Sequence, residues 1–166
     1  MSNSKVVTPY GGDQNEKKNE VASMFNNIAG NYDFLNHFLS MGIDKLWRKK
    51  VVKMVANVHA KNVLDVATGT GDLAIALLKA KPDKITGIDI SVGMLEKGNE
   101  KIKQLKVDNI IELVKGDSEN IQFNDATFDA ITVAFGVRNY QNLDKGLSEM
   151  FRVLKPNSPL IVLEFS

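Results

Sequence analysis

The sequence predicts an α/β protein, a parallel sheet with helices on both faces. Three observations carry that reading. From residue 59 onward short apolar runs alternate with helical patterns. A glycine-rich turn at residues 65–72 lies where the first apolar run gives way to the first helix. Aspartates stand at the ends of three successive runs, at Asp65, Asp89 and Asp117. Strands separated by helices pair in parallel through right-handed crossovers, and such sheets bind ligands outside the carboxyl ends of their strands.

The elements follow in order. Residues 1–15 are polar and charged with no apolar stretch, the pattern of a disordered leader. Residues 16–58 read as helical. Met24, Phe25 and Ile28 can share a face, Gly30-Asn31 interrupts, and Asp44 is a candidate N-cap for the next helix. In that helix Trp47, Val51, Met54, Val55 and Val58 have the spacing of a buried stripe. Lys45, Arg48, Lys49, Lys50 and Lys53 fill much of the remainder, as a solvated face or as a surface for anionic lipid. Strands are expected at 62–67, 84–89, 110–115, 128–135 and 160–165. Between them lie a helix opening at Leu73, one capped by Ser91 that carries Met94, Leu95, Ile102 and Leu105, and one marked by Leu143, Leu147, Met150, Phe151 and Leu154. The division expected is a leader at 1–15, a helical cap over the substrate at 16–58, and a ligand-binding sheet domain at 59–166.

Composition narrows the function. The 166 residues suit one domain, and 21 Lys+Arg against 20 Asp+Glu give no general reason to expect a nucleic-acid partner. The absence of cysteine excludes disulfides and thiolate metal sites, and no His/carboxylate spacing suggests a metal. It suits a reducing cytoplasm. No apolar run reaches the ~20 residues that cross a bilayer.

The turn runs Asp65-Val66-Ala67-Thr68-Gly69-Thr70-Gly71-Asp72. Gly69 and Gly71 permit positive φ and close approach of backbone to a ligand, with Thr68 beside them. Asp89 can accept from both ribose hydroxyls of an adenosine. Asp117, with Ser118 next to it, is placed for the adenine amino group, and Asp65 for an ammonium, directly or through water. The stretch from Gly69 to Ala74 also matches G-x-G-x-x-A, so a dinucleotide competes. Asp72 beside a pyrophosphate and Asp65 at the strand end both favour the sulfonium cofactor S-adenosyl-L-methionine, and no G-K-[ST] phosphate loop is present.

Three further stretches are more specific: residues 32–42 with Leu46-Trp47 after them, the run Phe135-Gly136-Val137-Arg138-Asn139, and Arg152-Val153-Leu154-Lys155-Pro156 leading to Leu163-Glu164-Phe165-Ser166. With the loop, they make residues 21–166 resemble the C-methyltransferases of menaquinone and ubiquinone biosynthesis. The sequence departs at Leu35, where the family more often has Met, and at Asn157-Ser158, where it usually has Gly-Gly. Asn tolerates the left-handed conformation such a turn needs.

The resemblance implies a class I, Rossmann-like methyltransferase with sheet order 3-2-1-4-5. It implies transfer of a methyl group to a ring carbon of a prenylated quinol, most simply demethylmenaquinol. An aromatic carbon is a poor nucleophile until a ring hydroxyl loses its proton, and a phenol has a pKa near ~10. Arg138 is the candidate to stabilise that phenolate and Asn139 to orient a ring oxygen. Tyr32 and His37 are candidates to bind a quinol oxygen or relay a proton, and Phe34, Leu35, Phe38, Leu39 and Met41 can line the ring pocket. Another small-molecule substrate and a cofactor-binding fragment without turnover are the alternatives. Family members continue past Glu-Phe-Ser, so the strand at 160–165 is expected at a sheet edge, open to self-association. Peripheral contact with a membrane is expected through residues 34–41 and 45–53.

Overall fold

Consecutive strands are each separated by a helix or a long connection, and the sheet they form is parallel throughout. The computed structural model describes residues 17–32 and 43–164. Helix α1 (Lys17–Ile28) and helix α2 (Ile43–Asn57) precede the sheet. Then follow β1 (Asn62–Val66), α3 (Asp72–Leu77), β2 (Lys84–Asp89), α4 (Val92–Leu105), β3 (Ile111–Lys115), β4 (Ala130–Ala134), α5 (Leu143–Val153) and β5 (Leu160–Leu163). Short 3-10 turns cover Leu78–Ala80 and Val137–Asn139. The strand order is β3-β2-β1-β4-β5, the predicted one, and β5 forms one edge.

The sheet is apolar on both faces, as a parallel sheet covered by helices must be. Val63, Ile85, Ile111 and Ala130 face α2, α3 and α4 in one cluster with Val51, Val55, Leu73, Leu77, Leu95 and Ile102. Leu64, Val66, Ile88, Ile131 and Val133 face the other way, onto Phe128, Met150 and Val153. The alternation along β1 puts Asp65 among the residues of the first face. Register then places Gly87 on one side of Asp65 and Thr132 on the other. That row of three sets up the site.

Several boundaries differ from the sequence reading. The fourth strand begins at Ala130 rather than 128, because Phe128 leaves the ladder to make a single bridge with Leu154. The second helix starts at Ile43, which puts Asp44 inside its first turn instead of at the cap. Of the stripe proposed on that helix, Val51 and Val55 are buried, whereas Met54 and Val58 are 52% and 48% exposed. The buried arc is narrower than the spacing alone suggests. Ser91 does cap α4, its hydroxyl accepting from the Met94 N–H, and Asn157 takes φ 62° as the Gly-to-Asn departure requires.

Candidate active site

The end of β1 must turn sharply to enter α3, and it does so on a run of positive φ at Ala67, Gly69 and Gly71. The Thr68 N–H donates to the Ile88 carbonyl at 3.0 Å, which hangs the loop on β2. The Thr68 hydroxyl donates to Asp65 at 2.6 Å, and Thr132 donates to the other oxygen of Asp65 at 2.7 Å. This packing needs Gly87: a Cβ there would lie 2.8 Å from the Thr68 hydroxyl and 2.4 Å from Leu113. Asp65 is thus enclosed, at 1% exposure. Burial pushes its carboxyl up to about 6, against the pull of the two hydroxyls.

Asp89, at the end of β2, is fixed by backbone. One oxygen accepts from the Gly69 N–H and the other from the Ser91 N–H, both at 2.8 Å. Burial raises its pKa against those bonds. Asp117 is fixed by backbone at one oxygen, which accepts from the Glu119 N–H at 2.9 Å, and by a side chain at the other. Lys18 of α1 donates to it at 2.7 Å and reaches Glu119 at 2.9 Å. Glu119 is itself buried, its second oxygen accepting from the N–H groups of Gln141 and Asn142.

Between these two carboxylates opens a cavity that both of them line. Its described walls include Phe25 and Tyr32 from the α1 segment, Gly69 from the loop, Asp89, Met94, Asp117 and Ser118. Phe135, Asn139 and Tyr140 complete it from the segment after β4. Phe25 and Tyr32 meet edge to face at 5.9 Å. Asn26 holds the far end of α1, its side-chain oxygen accepting from the Ser91 hydroxyl at 2.7 Å and the Gly93 N–H at 2.9 Å.

The sequence-predicted residues therefore divide. Gly69, Asp89, Asp117, Ser118, Asn139 and Tyr32 line one cavity. Asp65 and Thr68 stand behind its wall as support, and neither is among the described lining residues. Gly71 turns the chain into α3, and a Cβ there would press on Leu113 at 3.0 Å. Arg138 is also outside the described lining; its guanidinium is half exposed and lies 3.9 Å from Glu164. His37 lies outside the described residues, as do Phe34, Leu35, Phe38, Leu39 and Met41. Lys18, Asn26, Glu119 and Tyr140 were missed. Lys18 and Asp117 are 99 residues apart, and nothing local in the sequence pairs them.

Asp72 is bound by Arg48 at 3.0 Å and Lys101 at 2.6 Å, so it carries no free negative charge to repel a pyrophosphate. Arg48 accordingly does not belong to a solvated face. Asp65 is occupied by hydroxyls rather than presented to an ammonium. The cavity itself decides the matter better. Its described lining holds three carboxylates, Asp89, Asp117 and Glu119, and one ammonium, Lys18. That excess of negative charge fits a cationic ligand and opposes a pyrophosphate. The acceptors Asp89 and Asp117 match the hydroxyl and amino donors of an adenosine, so the residues present fit a sulfonium adenosyl cofactor. Among the described residues no cluster of His, Cys, Asp or Glu could hold a metal ion.

Comparison with known proteins agrees with this chemistry. Residues 13–166 match the model of the ubiE/COQ5 methyltransferase family. A demethylmenaquinone methyltransferase of Porphyromonas gingivalis is 46% identical over 169 residues, covering 100% of this chain and 68% of that protein. One from Bacteroides fragilis is 47% identical over 161 residues, covering 96% of this chain and 65% of that protein. The chain thus spans about two thirds of the length of the curated relatives it matches. Among solved structures, an S-adenosylmethionine-dependent methyltransferase from Aquifex aeolicus is 31% identical with a TM-score of 0.60. That match covers 69% of this chain and 62% of the other.

Proposed function

The chain belongs to the ubiE/COQ5 methyltransferase family, and from that membership and the cavity chemistry we propose that it binds S-adenosyl-L-methionine and methylates a ring carbon of a prenylated quinol, demethylmenaquinol most simply. The observation that carries the reading is the acidic cavity at the ends of β2 and β3, with Asp89 held by the glycine loop and Asp117 opposite. The cofactor would supply an electrophilic methyl group. Asp89 would accept from the ribose hydroxyls and Asp117 from the adenine amino group, while Met94 and Phe25 offer apolar contact and help exclude water.

The quinol must present a ring carbon made nucleophilic by loss of a neighbouring hydroxyl proton. Asn139 and Tyr32, both on the cavity wall, are the groups we assign to its oxygens. We assign Arg138 to the phenolate charge from the rim, with Glu164 orienting it. His37 remains a candidate in this reading for a second oxygen or for the departing proton. The helical segment before β1 would cap the substrate.

Contact with a lipid surface is part of the proposal. Lys45, Lys49, Lys50 and Lys53 are exposed on α2 around Leu46, itself 60% exposed, with Met54 beside them. A basic face with apolar members suits anionic headgroups. No described helix is long and apolar enough to cross a membrane. Self-association through β5 is also proposed, since this apolar strand is an edge of the described sheet and Val162 is 46% exposed.

The test is a titration of S-adenosyl-L-methionine followed by an assay of methyl transfer to reduced short-chain demethylmenaquinol. Transfer to the ring carbon is expected, with Arg138→Ala lowering turnover and leaving cofactor affinity nearly unchanged. Equal loss of both would make Arg138 structural. Cofactor binding with no transfer to any quinol would favour the cofactor-binding unit over the enzyme. Co-sedimentation with anionic vesicles at low salt checks the surface contact, and its absence would remove that part.

A further inference from the structure

Phe135 takes a backbone conformation that its side chain does not favour. It follows β4 at φ 58°, in the left-handed region that a bulky residue rarely enters. Its N–H still donates to the Leu163 carbonyl at 2.8 Å. Gly136 comes next and packs on the loop, where a Cβ would lie 2.6 Å from Ala67. The turn changes where the ring goes. Ile131 and Val133 face one side of the sheet and Ala134 the other, so a continued strand would send Phe135 to the side of Ile131 and Val133. Its ring meets Trp47 of α2, the helix on the opposite side, with ring centroids 6.1 Å apart at 46°. Phe135 is half-buried there and lines the cavity. A strained backbone that carries an aromatic ring out of its strand's pattern and onto a cavity wall points to a ligand for that ring.

We propose that Phe135 is the face on which the quinol ring lies, and that Trp47 is its positioning residue. The inference rests on the cofactor and quinol readings above. Strand order sets the place. Along the carboxyl ends of the sheet come Asp117 after β3, Asp89 at β2, the glycine loop after β1 and Phe135 after β4. With the adenine at Asp117 and the ribose at Asp89, the sulfonium lies toward β1 and β4, and the ring that takes the methyl group must meet it there. Asn139, assigned above to a ring oxygen, is on the turn that starts two residues after Phe135, its N–H donating to the Gly136 carbonyl at 3.0 Å. A ring held by its oxygen at Asn139 stands beside Phe135. A flat aromatic wall stabilises a flat ring by stacking, and two fused rings more than one.

Calorimetric titration of a demethylmenaquinone with one isoprene unit tests this. The full chain, saturated with S-adenosylhomocysteine, is compared with Phe135→Leu, Trp47→Leu and the double variant. Phe135→Leu keeps apolar volume and loses the flat ring, so it should bind the two-ring quinone about three- to tenfold more weakly. A one-ring benzoquinone with the same side chain should lose less, and S-adenosylhomocysteine affinity should stay within about twofold. Trp47→Leu should also weaken the quinone, and the double variant should bind it no more weakly than Phe135→Leu alone, because Trp47 acts through Phe135. Trp47 is the single tryptophan of the chain, so a quinone seated on Phe135 should quench its emission saturably. Unchanged quinone affinity in Phe135→Leu overturns the proposal. So does an equal loss for both quinones or for S-adenosylhomocysteine, which would make the ring structural. Additive losses in the double variant overturn the role of Trp47. A wild type that binds S-adenosylhomocysteine and no quinone overturns the quinol reading, and this inference with it.

Discussion

The two carboxylates that flank the cavity share one tie, to the N–H two residues on, and differ in the other. Asp89 is set by backbone: the N–H groups of Gly69 and Ser91 fix both of its oxygens, and the loop that supplies one of them is hung on β2 through Thr68 and Ile88. Asp117 has backbone at one oxygen only, the Glu119 N–H, and its other oxygen is set by a side chain 99 residues away, the ammonium of Lys18 on α1. The first wall is built from residues close in sequence or paired across the sheet and has little freedom. The second depends on a helix tied by Lys17, Lys18 and Asn26 at its two ends. Changes on a wall fixed by neighbouring residues and on one that leans on a distant helix should differ in size and in response to salt.

The largest effect belongs to the support of the first wall. Asp65 has a carboxyl raised to about 6 by burial, from an ordinary value of 3.8. A folded pKa above the unfolded one means that the folded state holds the proton more tightly. Stability from this group is therefore greatest at low pH and falls as pH rises from about 4 to about 6, by up to about 3 kcal/mol. Asp89 shifts in the same direction, while Asp129 and Glu149 are lowered and act oppositely. The difference between wild type and Asp65→Asn isolates the one group. Denaturant melts from pH 4 to pH 8 should show the variant gaining on the wild type as pH rises, with little further change above about 7. A difference that stays constant with pH would mean that Asp65 does not titrate there, and that the wall is less closed than its packing indicates.

Next comes the carboxylate on that wall. Asp89→Ala removes the acceptor for the ribose hydroxyls and leaves two backbone N–H groups without their bonds. The cofactor should bind more weakly by about 1.5–3 kcal/mol, roughly ten- to hundredfold, in a variant that stays folded. Calorimetry with S-adenosyl-L-methionine reads it, and circular dichroism checks folding. Unchanged affinity would remove Asp89 from the site and weaken the whole assignment of the loop. Tighter binding of NADH than of S-adenosylhomocysteine by the wild type would favour a dinucleotide instead.

The same division explains what the sequence made legible. Strand order, the glycine turn, the Ser91 cap and the carboxylates at the ends of β1, β2 and β3 are local signals, because backbone periodicity and turn chemistry write them into neighbouring residues. The role of Asp65 was only half legible. Its position at the end of β1 was clear, but its hydroxyl partner Thr132 is 67 residues away on β4, and that contact turns a ligand candidate into a support. Asp72 was misjudged for the same reason, since Arg48 and Lys101 reach it from two other helices. Met54 and Val58 show the limit of periodicity: it gives a helix its apolar side without giving the width of the arc that is covered.

The second wall should give the smallest effect on affinity and the clearest response to salt. Lys18→Met keeps most of the side-chain volume on α1 and removes both ion pairs. Two consequences for the cofactor then oppose each other. Asp117 is freed to accept from the adenine amino group, and α1 loses one of its ties across the cavity. Affinity should therefore change by less than about fivefold, a difference of under about 1 kcal/mol. Stability should fall by about 1 kcal/mol, at the upper end for a part-exposed pair, because Glu119 is buried and keeps only its two backbone donors. Burial opposes the charge on Lys18, but its bonds to Asp117 and Glu119 prevail and raise its pKa above the ordinary 10.5. Its contribution is thus complete at neutral pH and is lost only as pH climbs through that raised value, so an effect measured near pH 7.5 is not titration of the lysine. Salt separates the two walls. Raising ionic strength should weaken the link between α1 and Asp117 in the wild type and bring its stability toward that of Lys18→Met, while the gap between wild type and Asp89→Ala in cofactor affinity should persist. Melts and titrations of both variants at low and high salt make the comparison, and a Lys18→Met difference that does not shrink with salt would show that α1 is held by its apolar contacts, Val21 and Phe25 foremost, and that both walls are equally fixed.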